Sequence, residues 1–532
     1  MTLALLKEKQ FSRRILERDA SLWTDDPEEM RVIRNRLGWL FAVQAMKQKA
    51  RELKAFAQEL RREGFDRALV LGMGGSSLFP DVCRRLFGAS RGGLKLDVLD
   101  STDPAWILEK ARWCAGGKTL FIVSSKSGTT AETMALFSYF YDWVQQAGGT
   151  AVGKAFTAIT DPNTPLEGLA GERGFRRTFL NPPDIGGRYA ALSFVGLVPC
   201  ALLGVDVDVL LEQARGMEEE LMRPTYSGEG AENPGIELAA RLAECAAAGR
   251  DKITFVFSPS LASFGIWLEQ LIAESTGKEG KGLIPVDGEV LGEPDVYGLD
   301  RVFVSVGLKR DEDAVTQRRL GMLEKRGHPV LRFTLDGPLS IGAECLRWEY
   351  ATAALASLWG INPFNEPDVD LSKDRARALL EAAGKPQREE PSPRSMGESL
   401  ADFLHAAREG DYVVFMAYLA PTPQVDSGLQ ALRIKVRDRF RKATVVGYGP
   451  RFLHSTGQLH KGGPGTGVFI QLTADDTDDM PIPGKRYSFG ALKRAQAMGD
   501  LEVLKTKGRR CMRIHLGQEA YPALNCLREA LA

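Results

Sequence analysis

The chain has no surplus of either charge: Lys+Arg and Asp+Glu each total 69 in 532 residues. Nucleic-acid binders draw most of their affinity from excess positive charge, so the balance argues against that class. An anionic ligand would have to be held by local groups. Cysteine is sparse, with seven residues (Cys83, Cys114, Cys200, Cys245, Cys345, Cys511 and Cys526) far apart and no C-x-x-C pair. That pattern fits free thiols in a reducing compartment and opposes a disulfide framework or a zinc site. The first residues, MTLALLKEKQFSRR, carry too much charge for a signal peptide. The longest nearly uncharged stretch, 189–205, contains Pro199 and is too short to span a membrane. Together these absences predict a soluble cytoplasmic protein with no nucleic-acid and no membrane partner.

What is present is a strand–helix alternation. Apolar runs at 67–71, 94–99, 119–125, 156–160 and 178–180 read as buried strands separated by helical segments. Such an alternation predicts parallel βαβ units. A second unit begins with a strand at 252–257 and continues through 301–306 and 330–333. A third runs through 412–416, 443–446, 467–472 and 511–515, and its order loosely echoes the second. Charged helices fill 1–64, with Leu37, Leu40, Phe41 and Met46 as apolar positions. Two stretches rich in Pro, Gly and charge, 222–235 and 385–399, read as linkers. The expected layout is a helical segment at 1–64, α/β domains at 65–221 and 236–384, and a C-terminal α/β unit at 400–532 packing on the second domain.

The loop Ser124-Ser125-Lys126-Ser127-Gly128-Thr129-Thr130 stands out, with five hydroxyls in seven residues after a strand. It opens a helix whose candidate core positions are Met134, Leu136, Phe137, Phe140 and Trp143. Amides and the positive dipole end at a helix N-terminus suit a phosphate. Hydroxyls also cap helices for stability alone, and Thr129 with Glu132 fits a capping box. Five hydroxyls around a glycine favour the anion site. The earlier loop Gly72-x-Gly74-Gly75-Ser76-Ser77 approaches a dinucleotide fingerprint, with Asp97 or Asp100 as a ribose partner, but Ser77 replaces its third glycine. Two anion loops at strand C-termini, the second two strands later in the chain, fit one phosphate gripped from two sides better than a dinucleotide.

Other stretches carry chemistry at single residues. Arg188 follows the paired glycines Gly186 and Gly187, where it is either an ordinary surface arginine or fixed charge for an oxyanion. Gln270 and Glu274 share a face near the end of a helix over 261–277 that also buries Phe264, Leu268, Leu271 and Ile272. The negative dipole end there should raise the pKa of Glu274 toward that of a general base, unless it is a solvated helix-end residue. Lys373 sits in a first helical turn, against the dipole, which fits either anion binding or poor capping. His454 and His460 lie in a Gly/Ser-rich loop after a strand, six apart and with no cysteine near, which suits acid–base work better than metal binding. The acidic run Asp475, Asp476, Asp478 and Asp479 is a weak metal candidate.

Taken together, GMGGSSLFP, SSKSGTTAET, DIGGRYAALS, EQLIAESTGKEGKG, GINPFNEPDVDLSK and HSTGQ resemble the glucose-6-phosphate isomerase family. The similarity is closest to the isomerase part of bacterial fused transaldolase–isomerase chains. It implies an α/β fold of two doubly wound parallel-sheet sugar-isomerase domains with flanking helices, followed here by a C-terminal α/β unit. It also implies a homodimer acting on a sugar phosphate, with no cofactor and no metal. By that resemblance Gly75, Ser76, Ser125, Lys126, Ser127 and Thr130 bind the phosphate, beside Gly187. Arg188 stabilises an enediolate, Glu274 moves the proton with Gln270 beside it, and Lys373 assists ring opening with a histidine. The family histidine lies before the lysine; here Asp300 occupies one such position, and HSTGQ follows the lysine. His454 is the expected ring-opening residue, with His460 second. The implied activity interconverts glucose 6-phosphate and fructose 6-phosphate. Isomerisation of mannose 6-phosphate, or a silent sugar-phosphate sensor, are the alternatives.

Overall fold

In the computed structural model, residues 2–531 are described apart from 91, 149–150, 224–232, 312 and 383–392. Three parallel sheets follow one another along the chain. The first joins β1 (Arg67–Leu71), β2 (Lys95–Leu99), β3 (Thr119–Ser124), β4 (Phe156–Thr160) and β5 (Arg177–Leu180) in the order β2-β1-β3-β4-β5. The second joins β6 (Lys252–Phe257), β7 (Ile284–Val286), β8 (Arg301–Leu308) and β9 (Val330–Leu335) as β7-β6-β8-β9. The third repeats that order with β10 (Tyr412–Tyr418), β11 (Ala443–Tyr448), β12 (Gly467–Thr473) and β13 (Arg510–His515), as β11-β10-β12-β13. The near-continuous apolar strands follow from burial on both faces: β3 and β10 are buried at every position. β7 escaped the sequence reading because its three residues include Pro285 and form no run.

In each sheet the chain turns in opposite directions from one central strand, leaving a crevice beyond the carboxyl ends of β1 and β3 in the first. Both hydroxyl- and glycine-rich loops open there. The helix Ala131–Gln146 buries Leu136, Phe137 and Phe140 beneath the first sheet, while Met134 and Trp143 are only partly covered.

The N-terminal helices are not a separate layer. Trp23 Nε1 donates to Ala353 O at 2.9 Å and Lys9 Nζ to Ser357 O at 2.7 Å, on the helix Ile341–Trp359 that follows the second sheet. Leu37 pairs with Ile185, and Gly38 N donates to Asp184 O at 2.9 Å, so this segment also supports the loop that carries Arg188. Of the expected linkers, 224–232 and 385–392 lie outside the described residues. The second linker reading gives way from Pro393 onward, where a helix Pro393–His405 starts.

The third unit meets both others. Arg301, fully buried, pairs with Glu289 at 3.3 Å and donates to Lys442 O at 3.2 Å, while Thr444 Oγ1 donates to Glu289 at 3.0 Å. Burying such a charge is tolerable because its partners come with it. Toward the first unit, Lys493 Nζ binds Asp103 at 2.8 Å and Arg451 binds Asp81 and Asp100 at 2.9 and 3.0 Å. Among the described residues no helix is long and apolar enough to cross a membrane.

Candidate active site

The two loops beyond β1 and β3 form one wall. Thr130 stands at the N-cap of Ala131–Gln146, yet its side chain caps no first-turn amide. Its Oγ1 instead lies 2.9 Å from Ser125 Oγ, which also accepts from Gly128 N at 3.1 Å. Ser77 leaves the helix Leu78–Phe87 without a side-chain cap in the same way. Two neighbouring helix N-termini therefore reach the crevice without side-chain caps, which is the arrangement an anion uses. Ser127 and Thr129 are exposed and 2.9 Å apart. The capping box expected of Thr129 and Glu132 does not form, because the helix starts one residue later and Glu132 is drawn inward by other partners.

Lys126 is turned aside from the hydroxyls, with Nζ on the Asp161 carboxylate and on Pro183 O at 2.9 Å. A small cavity bounded by Gly75, Ser76, Lys126, Asp161, Asn181 and Gly187 lies next to it. Gly75 has to be glycine: an added Cβ would stand 2.3 Å from the carbonyl carbon of Gly187. That contact brings the first phosphate-type loop against the Arg188 loop. Asp97 and Asp100 are not free for a ribose, since Lys110 holds the first at 2.9 Å and Ser77 and Arg451 hold the second.

The opposite wall is the end of the helix Phe264–Thr276. Phe264, Leu268, Leu271 and Ile272 bury one face, which leaves Gln270 and Glu274 directed at the crevice. Glu274 Oε2 accepts from Gln270 Nε2 at 3.0 Å and faces Arg188 Nη1 at 3.3 Å. Its carboxyl pKa is raised, in the expected direction but chiefly by burial, with Arg188 pulling against it. Arg188 is itself nearly buried and donates to Ser275 Oγ at 2.9 Å, Pro363 O at 2.7 Å, Asn365 O at 2.9 Å and Glu366 at 3.1 Å.

His454 reaches this crevice from the third unit. Its carbonyl accepts from Gln270 Nε2 at 2.8 Å, and its Nε2 lies 3.0 Å from Glu132 Oε1. A Cβ on Gly74 would come within 2.5 Å of the His454 carbonyl oxygen, so the histidine loop lies directly against the first anion loop. Gln458, four residues on, accepts from Asp368 N at 2.9 Å and donates to Gly277 O at 3.0 Å. The HSTGQ turn is thereby wedged between the glutamate helix and the 361–368 loop.

Glu132 is the site residue that the sequence reading missed. Burial alone would raise its pKa, but His454 beside it and Lys373 further off hold it below the ordinary value. Gln496 donates to the same oxygen at 2.6 Å and is itself fixed by Thr102 at 2.8 Å. The available signal is its place in the first turn of the helix that follows the hydroxyl-rich loop, where a glutamate also fits a capping pattern. Lys373 is brought near but not into contact: it is about half exposed and its Nζ binds Asp370 at 2.9 Å. His460 is far less apt, buried between Phe452 and Phe469 with its pKa pushed well down by burial. Asp300 pairs with Lys252 at 3.3 Å, at the amino end of β8. In the acidic run, Asp476 binds Lys493 and Arg494, and Asp479 accepts from Gly490 N at 2.8 Å. Among the described residues no cluster of three or more metal-ligating side chains forms.

A model of the phosphoglucose isomerase family matches residues 42–288. The chain is 28% identical over 363 residues to a glucose-6-phosphate isomerase of Rubrobacter xylanophilus, covering 60% of this chain and 83% of that one. It is 29% identical over 359 residues to one from Thermus thermophilus, covering 59% and 83%. Among solved structures, a hypothetical protein from Thermus thermophilus superposes with a TM-score of 0.60 at 25% identity, over 72% of this chain and 96% of that one. A glucose-6-phosphate isomerase from Chlamydia trachomatis, at 21% identity and a TM-score of 0.53 over 70% and 78%, shares the fold. None of these names a transaldolase partner. Over residues 42–288 the chain is similar to the phosphoglucose isomerase family.

Proposed function

We propose that the chain interconverts glucose 6-phosphate and fructose 6-phosphate through a cis-enediol, as an aldose–ketose isomerase of glycolysis and gluconeogenesis. The observation that carries this reading is the buried Glu274, 3.3 Å from Arg188 and 3.0 Å from Gln270. The phosphate is gripped by Gly75, Ser76, Ser125, Ser127 and Thr130, with Lys126 released from Asp161 as the anion arrives and Gly187 leaving room for close approach. Binding energy at that remote group fixes the sugar for reaction. Glu274 takes the proton from C2 and returns it at C1, while Arg188 meets the charge that develops on the enediolate oxygens. His454 donates to the ring oxygen to open the cyclic sugar; Glu132 orients its imidazole, and Lys373 supplies positive charge nearby. The chemistry needs only these acid–base groups. The chain works in the cytoplasm, consistent with its free thiols, and as a homodimer.

The test is a coupled assay with glucose 6-phosphate and fructose 6-phosphate, run beside mannose 6-phosphate. Turnover of the first pair, abolished in Glu274→Gln, is expected. Turnover of mannose 6-phosphate alone, or activity that survives Glu274→Gln, would overturn the assignment.

A further inference from the structure

The five N–H groups of Arg188 divide into a fixed set and a changeable one. Nε is on Ser275 Oγ at 2.9 Å, and Nη2 is on the backbone carbonyls of Pro363 and Asn365 at 2.7 and 2.9 Å. Backbone acceptors of a packed loop cannot leave singly. That loop is held from behind by Lys278 Nζ on Asn362 O, and by Glu29 of the helix Pro27–Arg34, which accepts from Asn362 Nδ2 at 3.0 Å. Nη1 is different. It faces two carboxylates at once, Glu274 Oε2 at 3.3 Å and Glu366 Oε2 at 3.1 Å. The side chain of Glu274 is 9% exposed, whereas that of Glu366 is 45% exposed.

An oxyanion forming on the substrate can therefore approach the guanidinium only at Nη1, and Glu366 is the ligand able to swing into water. We propose that Glu366 is a positioning residue, a displaceable counter-ion that occupies Arg188 in the empty site and yields it to the reacting oxygens. This deepens the isomerase reading and rests on it. A second consequence follows from the same geometry. The negative charge of Glu366 disfavours ionisation of Glu274, as does burial, while Arg188 and Lys278 favour it and Gln270 donates to its oxygen. Removing that charge should make Glu274 ionise at lower pH.

The variant is Glu366→Gln, isosteric and half exposed, with its melting temperature compared with that of the wild type. Two probes are titrated calorimetrically: glucitol 6-phosphate, neutral at C1 and C2, and arabinonate 5-phosphate, which carries a carboxylate where the enediolate would form. The variant is expected to bind the aldonate about three- to fivefold more tightly, the range of a part-exposed ion pair, and the alditol unchanged. Equal changes for both, or weaker aldonate binding, would overturn the proposal, because a merely structural loop defect does not distinguish them. Independently of any ligand, ¹³C-carboxyl titration of Glu274, assigned with Glu274→Gln, should show a lower midpoint in Glu366→Gln. An unmoved midpoint overturns the proposal as well. If the wild type binds neither sugar phosphate, the isomerase reading falls, and the titration alone decides the role of Glu366.

Discussion

At the end of the crevice proposed to take the phosphate, the hydroxyl-bearing groups come from two short loops, 72–77 and 124–130, on neighbouring strands of one sheet. At the end proposed for proton transfer, Arg188, Glu274 and His454 arrive from three different units and meet through Gln270 and the 361–368 loop. The first end is a local device, since strand ends and helix starts bring its amides and hydroxyls together as a direct consequence of βα topology. The second is a tertiary device held by buried ion pairs and side-chain-to-carbonyl bonds. A local device should fail by losing affinity; a tertiary one should fail by losing rate.

The largest expected effect is at the tertiary end. Glu274→Gln should lower kcat by at least about two orders of magnitude, since positioned proton transfer supplies roughly 10²–10⁴-fold, and leave binding of a sugar-phosphate analogue intact. Next, His454→Ala and Glu132→Gln should slow the cyclic substrate about tenfold or more and an open-chain substrate much less, within the range of general acid catalysis. Stopped-flow comparison of the two substrate forms checks this, and equal slowing of both would remove the ring-opening role. At the local end, Ser125→Ala should raise KM about tenfold with kcat kept, equivalent to one hydrogen bond to a charged group. A fall in kcat without a change in KM would erase the contrast between the ends.

Two smaller effects sharpen it. Gly75→Ala forces a methyl against Gly187 and should cost about 1–3 kcal/mol, read as a lowered denaturation midpoint, because neither backbone can give way easily. The pH dependences of the ends also differ. Glu274 has its folded pKa raised, so the acid limb of kcat/KM should lie above the ordinary glutamate value of 4.5. Glu132 has its folded pKa depressed, so its ionised form stabilises the fold at neutral pH, and that contribution is lost as the pH falls below about 4.5 and through the folded pKa. The wild-type advantage in melting temperature over Glu132→Gln should therefore shrink on acidification.

The composition and strand pattern were enough to read three parallel α/β units, because strands buried on both faces are written as uninterrupted apolar runs. Ser125, Thr130, Gly75 and Glu274 stand at strand or helix ends that periodicity locates, while the roles proposed for them come from the family resemblance. Glu132 is ambiguous in sequence because a glutamate three residues after a threonine is also a capping pattern, and only the approach of His454 from 322 residues away distinguishes the two. Glu366 carried no sequence signal at all. Its role depends on Arg188 crossing from the first unit to the 361–368 loop.

Sequence by itself determined the parallel sheet type and marked the two hydroxyl- and glycine-rich loops and Glu274 as candidates, since strand and helix ends follow from local periodicity. Tertiary structure alone decided that Glu132 meets His454 and that Glu274 and Glu366 share Arg188. Those choices are made by burial and by distances of about 3 Å between segments hundreds of residues apart, and no local pattern encodes them.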